Sequence, residues 1–174
     1  ALPLSAGGCG KGTMRMGWTA LLLGALDPVL EAHLKAARSA VKMGADQALL
    51  LPLPSPAEAK AGHRLNMCRA ACAKEERVFA CDAALRANTT DQAQIAAFAQ
   101  REQNCGSVRC VFVPGEEQLC FNVKNRLLAL DDAADALPAA VCRYIAENGL
   151  YCQDYLPLLR SLGMKDKRVA HTLG

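Results

Sequence analysis

The sequence predicts a mainly α, disulfide-stapled helical domain carrying an N-terminal helical arm. Three observations predict it. Nine cysteines in 174 residues are well above ordinary usage, and eight of them lie between positions 68 and 152. An even, clustered set suggests a disulfide framework. Apolar residues recur at helical spacing through most of the chain. One short stretch alone, Val108–Val113, has a β-like composition. A chain that is 52% apolar and 21% charged is not intrinsically disordered. Its longest apolar runs, Ala20–Leu26 and Ala48–Leu53, fall short of the ~18 residues that span a bilayer.

The elements follow in order. Residues 1–17 are glycine-rich and read as an extended arm. Asp27-Pro28 opens a helix carrying Leu30, Leu34, Ala37 and Val41 on one face, with Gly44 as its stop. Residues 48–56, ALLLPLPSP, read as a stiff apolar connector, because Pro52, Pro54 and Pro56 disfavour helix before position 56. This connector divides the chain into an N-terminal arm and helix, 1–54, and a Cys-rich helical domain, 55–174. Ser55-Pro56-Ala57-Glu58 has the form of a capping box for a helix expected to run through Cys68 and Cys72 to about Ala87. Thr90 or Asp91 caps the next helix, with Ile95 and Phe98, which fails near Asn104. Pro114-Gly115 turns the chain into a helix from about Glu116. Pro138 starts another with Val141, Cys142 and Ile145, ended by Gly149, and Asp154 caps a last short helix.

The disulfide candidates are Cys68, Cys72, Cys81, Cys105, Cys110, Cys120, Cys142 and Cys152. Their spacing suggests a degenerate repeat of helical hairpins. Cys68, Cys72 and Cys81 are followed by Cys105, Cys110 and Cys120 at offsets of 37, 38 and 39 residues. Each bridge would stabilise the domain by roughly 3–4 kcal/mol in the chain-entropy model. Zinc is the rival reading, since Cys68-x3-Cys72 and Cys105-x4-Cys110 lie within structural-zinc spacing. It leaves four cysteines unexplained and has no Cys-x2-Cys knuckle, so no metal is expected. The absence of Cys-x-x-Cys also removes thioredoxin-like chemistry. The Cys110-x9-Cys120 and Cys142-x9-Cys152 intervals are similar to those of intermembrane-space proteins built from paired Cys-x9-Cys helices, but Pro114-Gly115 in the first and Gly149 in the second interrupt the helices that family requires. Ser5-Ala6-Gly7-Gly8-Cys9-Gly10-Lys11-Gly12-Thr13 resembles the phosphate loop of adenylate-kinase-like enzymes, with Ser5 where that motif has glycine. A flexible arm is the preferred reading.

No catalytic constellation stands out, so no enzyme activity and no cofactor are expected. His33, His63 and His171 are scattered and read as ordinary surface or amphipathic-face residues. The net charge of +3 comes without a basic, aromatic-interleaved stripe, so no nucleic-acid partner is expected. The expected partners are other protein subunits. The docking candidates are Trp18, Leu21, Leu22, Leu23, Leu51 and Leu53, which serve either a partner or the domain's own core. The expected role is a non-catalytic structural subunit of a larger membrane-associated assembly, for example a photosynthetic or respiratory complex. It would face an oxidising compartment such as the thylakoid lumen or the mitochondrial intermembrane space. The alternative is a small secreted carrier of an apolar ligand. The chain opens on Ala1 and reads as a mature product whose targeting segment has been removed.

Overall fold

The computed structural model describes residues 17–129 and 131–151. The elements are β1 (Trp18–Gly24), α1 (Glu31–Lys42), β2 (Ala45–Pro52), α2 (Ala61–Cys72), β3 (Val78–Ala80), α3 (Ala83–Ala87), α4 (Gln92–Gln103), β4 (Val108–Val111), α5 (Glu116–Leu128) and α6 (Ala139–Asn148). The four strands form one sheet in the order β3-β2-β1-β4, and every pairing is parallel. This is an α/β fold, which corrects the mainly α expectation.

The two apolar runs are the central strands. Leu21, Leu22, Leu23, Leu49, Leu50 and Leu51 are all but inaccessible. Successive side chains in a strand point to opposite faces, and here both faces are covered. Leu22 and Leu50 join the core beneath α1, α2, α5 and α6. Leu21, Leu23, Leu49 and Leu51 pack with Ala83, Ala84, Ile95 and Ala99 of α3 and α4. A strand buried on both faces loses the polar alternation that marks a half-exposed one. That is why ALLLPLPSP reads as a connector and folds as β2. Each buried leucine contributes roughly 2 kcal/mol, so the sheet is stabilised without cross-links.

The described cysteines are thiols. None of Cys68, Cys72, Cys81, Cys105, Cys110, Cys120 and Cys142 is in a disulfide, and five of them are buried alongside aliphatic side chains; Cys9 and Cys152 lie outside the described residues. A buried free cysteine behaves as a small hydrophobe, and these pack the core rather than bridge it. The hairpin repeat is corrected with them: Cys68 and Cys72 lie on α2, Cys81 follows β3, Cys110 lies in β4 and Cys120 on α5. The long helix expected from Ser55 to Ala87 is likewise broken, with β3 between α2 and α3.

The sheet takes β1 and β2 from one side of residue 54 and β3 and β4 from the other. Leu21, Leu22, Leu23 and Leu51 are buried in this chain's own sheet. Trp18 is half-buried, with the Arg109 guanidinium 4.5 Å from its ring centre. No helix among the described residues is long and apolar enough to cross a membrane. The adenylate-kinase-like loop and the last predicted helix lie outside the described residues.

Candidate functional site

From β1 the chain crosses to β2 and β3 on one side, then returns to place β4 on the other. In an open parallel sheet such a reversal leaves a crevice outside the carboxyl ends of the two strands, where ligands bind. A cleft of about 490 Å³ lies here, lined by Gly24, Ala25, Asp27, Glu116, Cys120 and Lys124 among others. That volume suits a small molecule.

The loop from β1 to α1 builds the floor. Gly24 ends β1, and a Cβ on it would stand 1.9 Å from Oε2 of Glu116; a side chain here would push the seated carboxylate aside. The Ala25 N–H donates to Oε1 of Glu116 at 3.1 Å. Leu26 follows in the left-handed region, φ 52°, and its fully buried side chain holds that turn in place.

His33, in the first turn of α1, is fully buried. Its Nδ1 accepts the Leu30 N–H at 2.8 Å, so a helix side chain satisfies an orphan donor at the helix start. An accepting Nδ1 carries no proton, which fixes the proton on Nε2. Nε2 donates to Oε2 of Glu116 at 2.9 Å. Two donors from the β1–α1 segment therefore converge on one anionic group above a glycine.

Two further groups brace this floor. Asp27 is buried and accepts from the Glu58 N–H (2.8 Å), the Ala59 N–H (3.1 Å), Nζ of Lys124 (3.3 Å) and the Tyr151 hydroxyl. Burial, reinforced by Asp27, keeps the Tyr151 phenol protonated far above its usual range. Arg64 is also buried. It donates to the carbonyls of Ala25 and Leu53 at 2.8 Å each and of Ala59 at 3.0 Å. One guanidinium thus ties together the chain leaving β1 and the chain leaving β2.

Oxygen, nitrogen and sulfur atoms of Glu116, His33 and Cys120 lie within 4.8 Å of one another, a spacing that a metal ion could use. The Leu30 N–H turns the proton of His33 onto Nε2, which meets Glu116 as a donor. Burial, and then the Glu116 carboxylate, push the Cys120 thiol up to about 12. As these side chains stand, the Ala25 and His33 donors serve an anion.

None of the residues singled out as disulfide or docking candidates supplies these donors; Leu23, Leu53 and Cys120 do line the cleft. Sequence reasoning passed over Gly24, Ala25, Arg64 and Lys124, read Asp27 only as a helix cap and Glu116 only as a helix start, and set His33 aside. One local signal was present: an apolar run ending in glycine, then a helix with a histidine in its first turn.

The chain matches the cytidylyltransferase-like family over residues 21–148. Two solved structures share its fold. One is a Vibrio parahaemolyticus protein assigned as a nicotinate-nucleotide adenylyltransferase, at 15% identity and a TM-score of 0.63, covering 79% of this chain and 97% of that one. The other is the nicotinic acid mononucleotide adenylyltransferase of Plasmodium falciparum complexed with APC, at 11% identity and a TM-score of 0.57, covering 78% and 97%. A search of curated sequences returned no match. The family match overturns the expectation of a non-catalytic accessory subunit, and with it the secreted carrier. The free thiols remove the ground for placing the chain in an oxidising lumen. This chain belongs to the cytidylyltransferase-like family.

Proposed function

We propose that the chain is a nucleotidyltransferase that holds the phosphates of a nucleoside triphosphate in the cleft at the ends of β1 and β4. One observation carries this reading: the Ala25 N–H and the His33 Nε2–H converge on a single anion above Gly24. Backbone N–H groups beside a glycine, with a donor from the following helix, are what a phosphate oxygen requires.

In nucleotidyl transfer an acceptor oxygen attacks the α-phosphorus. A new P–O bond forms, the bond from the α-phosphorus to the bridging oxygen breaks, and its electron pair leaves on pyrophosphate. Fixed donors that meet this growing charge lower the barrier. His33 needs no rearrangement to donate, because the Leu30 N–H has already set its tautomer. Lys124, at the cleft wall, adds a positive charge beside the departing group. The names of the two structural neighbours suggest adenylyl transfer to a pyridine mononucleotide, so ATP and nicotinic acid mononucleotide are the first pair to try.

The test is pyrophosphate release by the full chain with magnesium, ATP or CTP, and that acceptor. The expected result is turnover that His33→Asn lowers by about 100-fold or more, the usual consequence of losing one preorganised donor. Failure of the wild-type chain to bind either nucleotide would overturn the proposal.

A further inference from the structure

The two donors are already occupied. Both carboxylate oxygens of Glu116 are engaged, Oε1 by the Ala25 N–H and Oε2 by His33 Nε2. The carboxylate fills the space that the missing Cβ of Gly24 leaves open. Glu116 is the first residue of α5, delivered from β4 across the crevice. We infer that Glu116 is a built-in competitor for the phosphate cradle, which a nucleotide must displace before it binds. The inference rests on the proposed function, since it concerns the same cradle.

Three physical facts support it. A carboxylate and a phosphate need the same donors, and this cradle presents two, both taken by Glu116. A phosphate beside the seated carboxylate would also meet like charge in a partly desolvated pocket. The contact is nevertheless not locked. The Glu116 side chain stays 16% exposed and borders the open cleft, so rotation about its own side-chain bonds suffices to release it. The cleft wall is acidic as well: Asp27, Glu58, Glu116 and Glu117 line it, with Lys124 as the one cation among the described lining residues. The free chain therefore binds phosphate less tightly than its donors alone would allow. Where only a fraction of the molecules have the competent arrangement, apparent affinity falls by that fraction.

The test is calorimetric titration of the full chain with magnesium-ATP and, separately, with inorganic pyrophosphate. It compares wild type, Glu116→Ala, Glu116→Gln, His33→Asn and the Glu116→Ala/His33→Asn double variant, each first shown to melt cooperatively. Glu116→Ala should bind both probes at least about tenfold more tightly than wild type. Glu116→Gln should fall between, because its amide still accepts from Ala25 but sets an NH2 group against His33. The double variant should lose the gain. If Glu116→Ala and Glu116→Gln bind no more tightly than wild type while His33→Asn weakens binding, the competitor role is wrong and the phosphate site stands. If no variant binds either probe, the phosphate site and the inference fall together.

Discussion

The β1–α1 loop engages two carboxylates, and they differ in kind. Asp27 belongs to the loop and sits in the buried floor of the cleft. It is 4% exposed, and its two oxygens take four donors from three separate places in the chain. Glu116 comes from 83 residues beyond His33 and looks outward. It has two donors and keeps an edge on the cleft. Four partners and burial make a latch, which nothing from solution can replace. Two partners beside an open cleft make an exchangeable contact. In this chain the number of donors and the route to water separate a structural carboxylate from a functional one.

The largest expected effect breaks the latch. Asp27→Ala leaves the Glu58 and Ala59 N–H groups and the Tyr151 hydroxyl without their acceptor, and leaves Lys124 with Glu58, 4.0 Å away, as its remaining counter-charge. Removing one partner of a buried charged network costs about 3–5 kcal/mol, or a fall in Tm of about 10 °C for a chain of this length. Calorimetric melting measures it. If Asp27→Ala and Glu116→Ala destabilise the chain equally, the distinction between latch and exchangeable contact is wrong.

The next effect concerns the buried thiols. Burial pushes the thiols of Cys72 and Cys120 up to about 12 and that of Cys81 to about 11; that of Cys68 lies well above its usual value for the same reason. The unfolded chain releases these protons near pH 9, while the native chain keeps them. The native state then binds more protons than the unfolded one, so stability falls as pH rises. It should be flat between pH 6 and 8 and decline above pH 9 by about 1.4 kcal/mol per pH unit for each such thiol. Urea unfolding at pH 7.5 and pH 10 reads the slope. Alkylation of the denatured, unreduced chain should modify at least the seven described cysteines that form no disulfide. Had these sulfurs been bridged, neither result would follow.

That contrast explains what was legible in the sequence. Local rules worked where a local rule decides. Asp91 caps α4 through the Gln94 N–H, Gly44 and Gly149 end helices at positive φ, and Val108–Val111 is a strand. The fold class failed at Ala48–Leu53 and at the cysteines. A strand covered on both faces has no alternation to read, and Pro52 and Pro54 at its carboxyl end imitate a connector. Cysteine spacing carries no mark of oxidation state, and a buried thiol has the same letter as a bridged one. The site was half legible. Gly24, Asp27 and His33 fall within ten residues, but Glu116 meets them only because β4 lies beside β1. No local pattern announces a contact across 83 positions.

The smallest expected effect sharpens the comparison from the side of Glu116. Glu116→Ala should lower stability by only about 1 kcal/mol, because water entering the cleft can satisfy the Ala25 and His33 donors. Cys120 provides an internal reporter. After burial, the Glu116 carboxylate is the strongest influence holding its thiol up. Removing that charge must lower the thiol's pKa and raise its thiolate fraction at pH 9, so iodoacetamide should modify Cys120 severalfold faster. Cys68, buried on α2 away from the cleft, should react at the wild-type rate. If both thiols speed up together, the variant has loosened the whole core, and Glu116 is as structural as Asp27. If Cys120 alone responds, the carboxylate is a local charge at the cleft that the fold can spare.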